Sequence, residues 1–111
     1  MDTKKFLAQF NEDLEKMKTE ASGMVGAFAG LFGKTMSEGT LTTMQKELIA
    51  LAIAVAQQCE PCIKLHVKKS LEAGASKEQI LEACCVSIMM NGGPAYTHIP
   101  IVINAIEQLT G

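Results

Sequence analysis

This 111-residue chain has no strand alternation, no basic surplus and no long uninterrupted apolar run. Each absence excludes a class. Without apolar and polar residues alternating at period two, no sheet is expected. Ten Lys and Arg against twelve Asp and Glu give a net charge of −2, with no basic stripe to neutralise phosphates, so nucleic acid is excluded as a partner. The most apolar stretches, Met24–Phe32 and Leu48–Ala56, fall well short of the roughly 20 residues that span a bilayer, and the first holds Gly26 and Gly30. Met1-Asp2-Thr3-Lys4-Lys5 leads into a charged amphipathic stretch rather than a secretory leader. A soluble, cytoplasmic protein with no membrane association is expected.

What is present is apolar for its size. Hydrophobic residues make up 48% and charged residues 20%, in a length that allows one domain. A lone domain this small cannot bury so much apolar surface, so part of it is expected to enter a subunit interface.

The periodicity predicts an all-α, single-domain bundle of five or six helices. Phe6, Leu7, Phe10, Leu14 and Met17 repeat at helical spacing from Thr3 to about Ala21, with Asp2 or Thr3 as the cap. In Ser22–Gly33, four glycines at spacings of three, four and three share a helical face. A helix that packs closely or swaps onto a neighbour is favoured there over a loop. Residues 34–41 read as a linker. Thr42 with Gln45 and Ser76 with Gln79 form capping boxes, the first opening a largely uncharged helix from Thr43 to Gln58. Pro61 suits the first turn of a helix that Gly74 ends. Asn91-Gly92-Gly93-Pro94 breaks the next one, and Pro100 either kinks the last helix or sets its true start. By this reading, residues 1–35 form an N-terminal helical segment and residues 36–111 a core.

The chemistry concentrates in Cys59-Glu60-Pro61-Cys62-Ile63-Lys64-Leu65-His66. Two cysteines three apart can close a disulfide, and in a reducing compartment a CxxC is more often redox-active or metal-binding than structural. A helix beginning near Cys59 favours a thiolate there through its N–H groups. His66, one turn beyond Cys62, favours a thiolate at Cys62. Spacing alone leaves open which sulfur attacks. Absence of strands argues against a thioredoxin fold, whose CxxC follows a strand. Glu47, twelve positions before Cys59, stands among apolar helical neighbours and is a candidate to orient His66.

Each group also has a bland reading. His66 alone would be an ordinary helix histidine, and Glu47 a solvated charge at a helix start. Cys84 and Cys85 read as core residues, since free cysteine behaves as a small hydrophobe; His98 reads as structural. Cys59, Cys62, His66 and Glu47 together total four zinc ligand types. Structural zinc sites usually draw a second ligand pair from elsewhere in the chain, and none is evident, so neither metal nor cofactor is expected.

Glu47, eleven residues, Cys59-x-x-Cys62, three residues and His66 resemble the motif of the alkylhydroperoxidase AhpD-like and carboxymuconolactone decarboxylase family. Gln45-Lys46-Glu47-Leu48-Ile49-Ala50-Leu51-Ala52 and Asn91-Gly92-Gly93-Pro94-Ala95 are similar too. The likeness covers about residues 36–110. It implies an all-α fold assembling into homotrimers or homohexamers, and a thiol-dependent peroxidase where both cysteines are kept. Carried over, Cys62 is the thiolate that attacks a hydroperoxide and Cys59 the resolving thiol. His66 and Glu47 form the proton relay, and a lipoyl or thioredoxin-like dithiol is the reductant. Decarboxylase members generally lack the CxxC. The alternatives are a general dithiol–disulfide oxidoreductase and a carboxymuconolactone decarboxylase-like protein without a peroxidase role.

Overall fold

A computed structural model describes residues 2–111. Six helices of twelve residues or more follow one another: α1 (Thr3–Glu20), α2 (Ser22–Met36), α3 (Thr43–Ala56), α4 (Glu60–Glu72), α5 (Lys77–Asn91) and, after the four-residue turn α6 (Gly93–Tyr96), α7 (Ile99–Thr110). The described residues contain no strand. The all-α bundle read from periodicity is the fold observed.

The helix ends follow local chemistry. The Asp2 carboxylate accepts from the backbone N–H groups of Lys4 and Lys5 and starts α1. Both capping boxes are formed: Thr42 and Gln45 open α3, and Ser76 and Gln79 open α5, each satisfying donors that a helix start leaves orphaned. Gly92, at φ 67°, turns the chain between α5 and α6 in a region that costs glycine nothing. Pro100 stands at the second position of α7, where its missing N–H costs nothing, so it sets a helix start rather than a kink.

α3 is the central element, packed between α4 and α5, while α4 also packs on α7. Leu51 and Val55 from α3, Ile63 and Val67 from α4, Ile80 and Cys84 from α5 and Val102 from α7 are fully buried in one cluster. Removing a leucine or isoleucine side chain from water contributes about 1.5–3 kcal/mol, so this cluster is the main favourable term of the fold. Two side-chain bonds fix α5 against α3: Ser87 Oγ donates to the Ala52 carbonyl at 2.7 Å, and Asn91 Nδ2 to the Ala56 carbonyl at 2.8 Å.

The first two helices are held more lightly. α1 buries only Thr3 and Leu7, and the Thr3 backbone N–H donates to Gln108 Oε1 on α7 at 2.8 Å. α2 buries no residue at all. Met24, Phe28 and Leu31 are each more than half exposed, and a Cβ placed on Gly23, Gly26, Gly30 or Gly33 would meet nothing within 4 Å. The glycine-rich stretch is therefore helical, and its glycine face packs on nothing within this chain.

Candidate dithiol site

The site begins where α3 ends. Gln57 caps α3, and Gln58 follows at φ 57°, a left-handed conformation rare for residues other than glycine. The Gln58 N–H donates to the Val55 carbonyl and the Cys59 N–H to the Ala54 carbonyl, each at 3.1 Å. These bonds close a Schellman motif, which satisfies two orphan carbonyls and reverses the chain toward α4. Cys59 therefore emerges at a fixed place and is itself the N-cap of α4.

At that cap the Cys62 backbone N–H donates to Cys59 Sγ at 3.3 Å. Cys59 and Cys62 are joined as a disulfide, with their Cα atoms 5.2 Å apart. Pro61 lies in the first turn between them, where no N–H is needed. Both sulfur-bearing residues are half-buried, so the pair is neither sealed in the core nor free in solvent.

His66 lies four residues beyond Cys62 on the same face of α4. Its Nδ1 is 2.7 Å from Glu47 Oε1 of α3. Antiparallel packing of α3 on α4 brings together residues 19 apart in sequence. The Glu47 side chain is 5% exposed and the His66 side chain 13%, so the pair is shielded from bulk water. A carboxylate only accepts. Nδ1 therefore donates to it, and in a neutral imidazole Nε2 is then the nitrogen with a lone pair for a proton from another group.

Phe32 of α2 stacks on the imidazole, with ring centroids 5.9 Å apart and planes 15° from parallel. Lys69 Nζ stands 5.5 Å from the centroid of that phenyl ring. Nothing in the sequence pattern of α2 marks Phe32 for this place; its signal is that of any apolar helix residue.

The remaining chemistry-bearing residues lie apart. Cys84 is fully buried, and burial first, with the neighbouring Cys85 second, pushes its thiol up to about 12. Cys85 itself is exposed. The reading of both as core residues holds for Cys84 and fails for Cys85, because adjacent helical positions point in directions about 100° apart. His98 Nδ1 lies 2.8 Å from the Pro94 carbonyl and serves the α6–α7 turn. Among the described residues no group of three or more His, Cys, Asp or Glu side chains is arranged to hold a metal ion.

Residues 23–102 match the carboxymuconolactone decarboxylase family. The chain is 38% identical over 85 residues to uncharacterized protein 4 in the cox locus of Paracoccus denitrificans, covering 77% of each chain. It is 32% identical over 93 residues to an uncharacterized protein of Cupriavidus necator, covering 84% of this chain and 82% of that one. Its fold superimposes on a carboxymuconolactone decarboxylase family protein from Legionella pneumophila with a TM-score of 0.93 at 28% identity. That match spans 98% of this chain and 97% of the other.

Proposed function

The chain belongs to the carboxymuconolactone decarboxylase family, and from that premise we propose that it is a thiol-dependent peroxidase cycling through a Cys59/Cys62 dithiol. The observation that carries the reading is the Cys59–Cys62 disulfide one turn along α4 from a shielded His66–Glu47 pair. In the reduced protein, His66 draws the Cys62 proton and Glu47 stabilises the imidazolium that forms. The Cys62 thiolate attacks a hydroperoxide oxygen; the S–O bond forms as the O–O bond breaks. The departing alkoxide takes the proton back from His66 and leaves as the alcohol. The Cys62 sulfenic acid is then attacked by the Cys59 thiol, which expels water and closes the disulfide. A dithiol reductant, of lipoyl or thioredoxin-like type, returns two electrons and two protons. Cytoplasmic location and a homotrimeric or homohexameric assembly, with α2 in a subunit contact, belong to the same reading.

Stopped-flow reduction of an alkyl hydroperoxide by the pre-reduced protein tests it. Wild type should consume one equivalent and yield a Cys59–Cys62 disulfide by mass spectrometry. Cys62→Ser should be inactive, and Cys59→Ser should stop at a sulfenic acid that traps with dimedone. Equal rates in wild type and Cys62→Ser would overturn the assignment. Disulfide exchange with lipoamide but no peroxide consumption would make the protein a general dithiol–disulfide oxidoreductase.

A further inference from the structure

A lysine–glutamate pair lies within the first two turns of α4, where Glu60 directly follows Cys59. Lys64 is 7% exposed, although lysine is almost never buried without a partner. Its Nζ lies 3.0 Å from Glu60 Oε1, one turn back along the helix, and 4.2 Å from the centroid of the Phe6 ring on α1. A polar cavity of about 150 Å³, lined by Thr3, Glu60, Lys64, Asn104 and Gln108 among others, opens beside the ammonium and has room to hydrate its remaining hydrogens. Carboxylate, ring face and cavity together give the ammonium partners although it is covered by α1.

Glu60 is one of the two residues inside the CxxC. Its carboxylate is the nearest fixed negative charge in sequence to both sulfurs. Left alone, it would oppose a thiolate at either cysteine. We propose that Lys64 is a positioning residue that neutralises Glu60 beside the dithiol, stabilising the thiolate of the reduced form and so raising the reduction potential of the pair.

The step involved is the reduction of the disulfide by a dithiol. The reductant gives up two electrons and two protons and closes its own disulfide. The Cys59–Cys62 bond breaks, and above the thiol pKa one sulfur keeps a proton while the other is left as thiolate, its proton going to solvent. A negative charge without its partner makes that product less stable. A unit charge on the residue next to one of the cysteines, in a partly hydrated setting, changes such an equilibrium about threefold to tenfold. That corresponds to about 15–30 mV for a two-electron couple.

The inference rests on the dithiol reading, and the test separates the two. Redox equilibria of wild type, Lys64→Met, Glu60→Gln and the double variant are measured against dithiothreitol at pH 9, where an ordinary thiol is ionised. Hydroperoxide consumption is assayed in parallel. Lys64→Met should lower the equilibrium constant for reduction about threefold to tenfold, Glu60→Gln should raise it by a similar factor, and the double variant should return to within about twofold of wild type. Should Lys64→Met fail to fold, the sign of the Glu60→Gln shift decides. Restoration by the second substitution is what a packing role would not produce. Unchanged constants, or equal shifts in Lys64→Met and the double variant, would overturn the proposal even if hydroperoxide is consumed. The charge-dependent shift without hydroperoxide consumption would support it while removing the peroxidase reading.

Discussion

Gln58 and Gly74 occupy the same position in two copies of one helix ending. Gly74, at φ 96°, follows α4 as Gln58 follows α3; its N–H donates to the Leu71 carbonyl, and the next N–H, of Ala75, donates to the Ser70 carbonyl. A glycine holds this conformation without strain, whereas a residue with a Cβ costs about 1 kcal/mol or more. The costly version is the one that delivers Cys59. Gln58→Gly should therefore stabilise the fold by about 0.5–1 kcal/mol, and Gly74→Ala should destabilise it by about 1 kcal/mol, both read from urea midpoints at constant slope.

Glu47→Gln keeps the shape of the contact with His66 and removes its charge. The imidazolium loses its stabilising partner, and the neutral amide can face Nδ1 with its N–H₂ group, which selects the wrong tautomer. The second-order rate with an alkyl hydroperoxide should fall about 10²-fold or more, while the Cys59–Cys62 disulfide still forms on treatment with diamide. A rate within twofold of wild type would take Glu47 out of the relay.

Cys84 and Cys85 separate by burial. Iodoacetamide on the native, disulfide-closed protein at pH 8 should label Cys85 once and leave Cys84 untouched, as counted by mass spectrometry; urea should expose both. The same burial predicts alkaline weakening. Cys84 ionises near 9.0 when unfolded and near 12 when folded, so above pH 9 the unfolded chain loses a proton that the folded chain retains. This contribution to stability is complete below pH 9 and is lost as pH rises toward 12, which denaturant midpoints of wild type and Cys84→Ala should separate.

The apolar exposure of α2 makes an assembly prediction. Phe28 is 61% exposed and Leu31 63%, on a helix that buries nothing in its own chain. Wild type should sediment as an oligomer at micromolar concentration, and Phe28→Glu with Leu31→Lys should shift it toward monomer without loss of helical circular dichroism. A monomeric wild type would remove α2 from any subunit contact.

Much of this architecture is legible in the sequence because its cues are local. Thr42 and Gln45, Ser76 and Gln79, Pro61 and Gly74 each act within one helix turn, so the boundaries they set appear where the chain places them. The four-residue spacing of Cys62 and His66 is local too. Contacts between helices are not. Glu47 meets His66 because α3 packs against α4, and no periodicity in either helix specifies that register. Lys64 has the composition of a surface residue and is covered because α1 crosses it, with Phe6 over its ammonium. Phe32 reaches His66 from a helix that shows no buried face of its own. Gln58 escapes notice for another reason: the left-handed position it fills is one that sequence rules reserve for glycine.

The light anchoring of α1 and α2 has a kinetic meaning. Their hold on the rest includes the Thr3–Gln108 clasp, which joins residues 105 apart, whereas α3, α4 and α5 share a continuous buried cluster. Amide hydrogen exchange should therefore show two tiers, with α1 and α2 opening locally at a fraction of the free energy needed to open α3–α5. Because Phe32 travels with α2, each such opening lifts the ring from His66. The imidazole is then exposed to solvent for as long as the first two helices stay detached, and the frequency of that event is set by the weakest part of the fold rather than by its core.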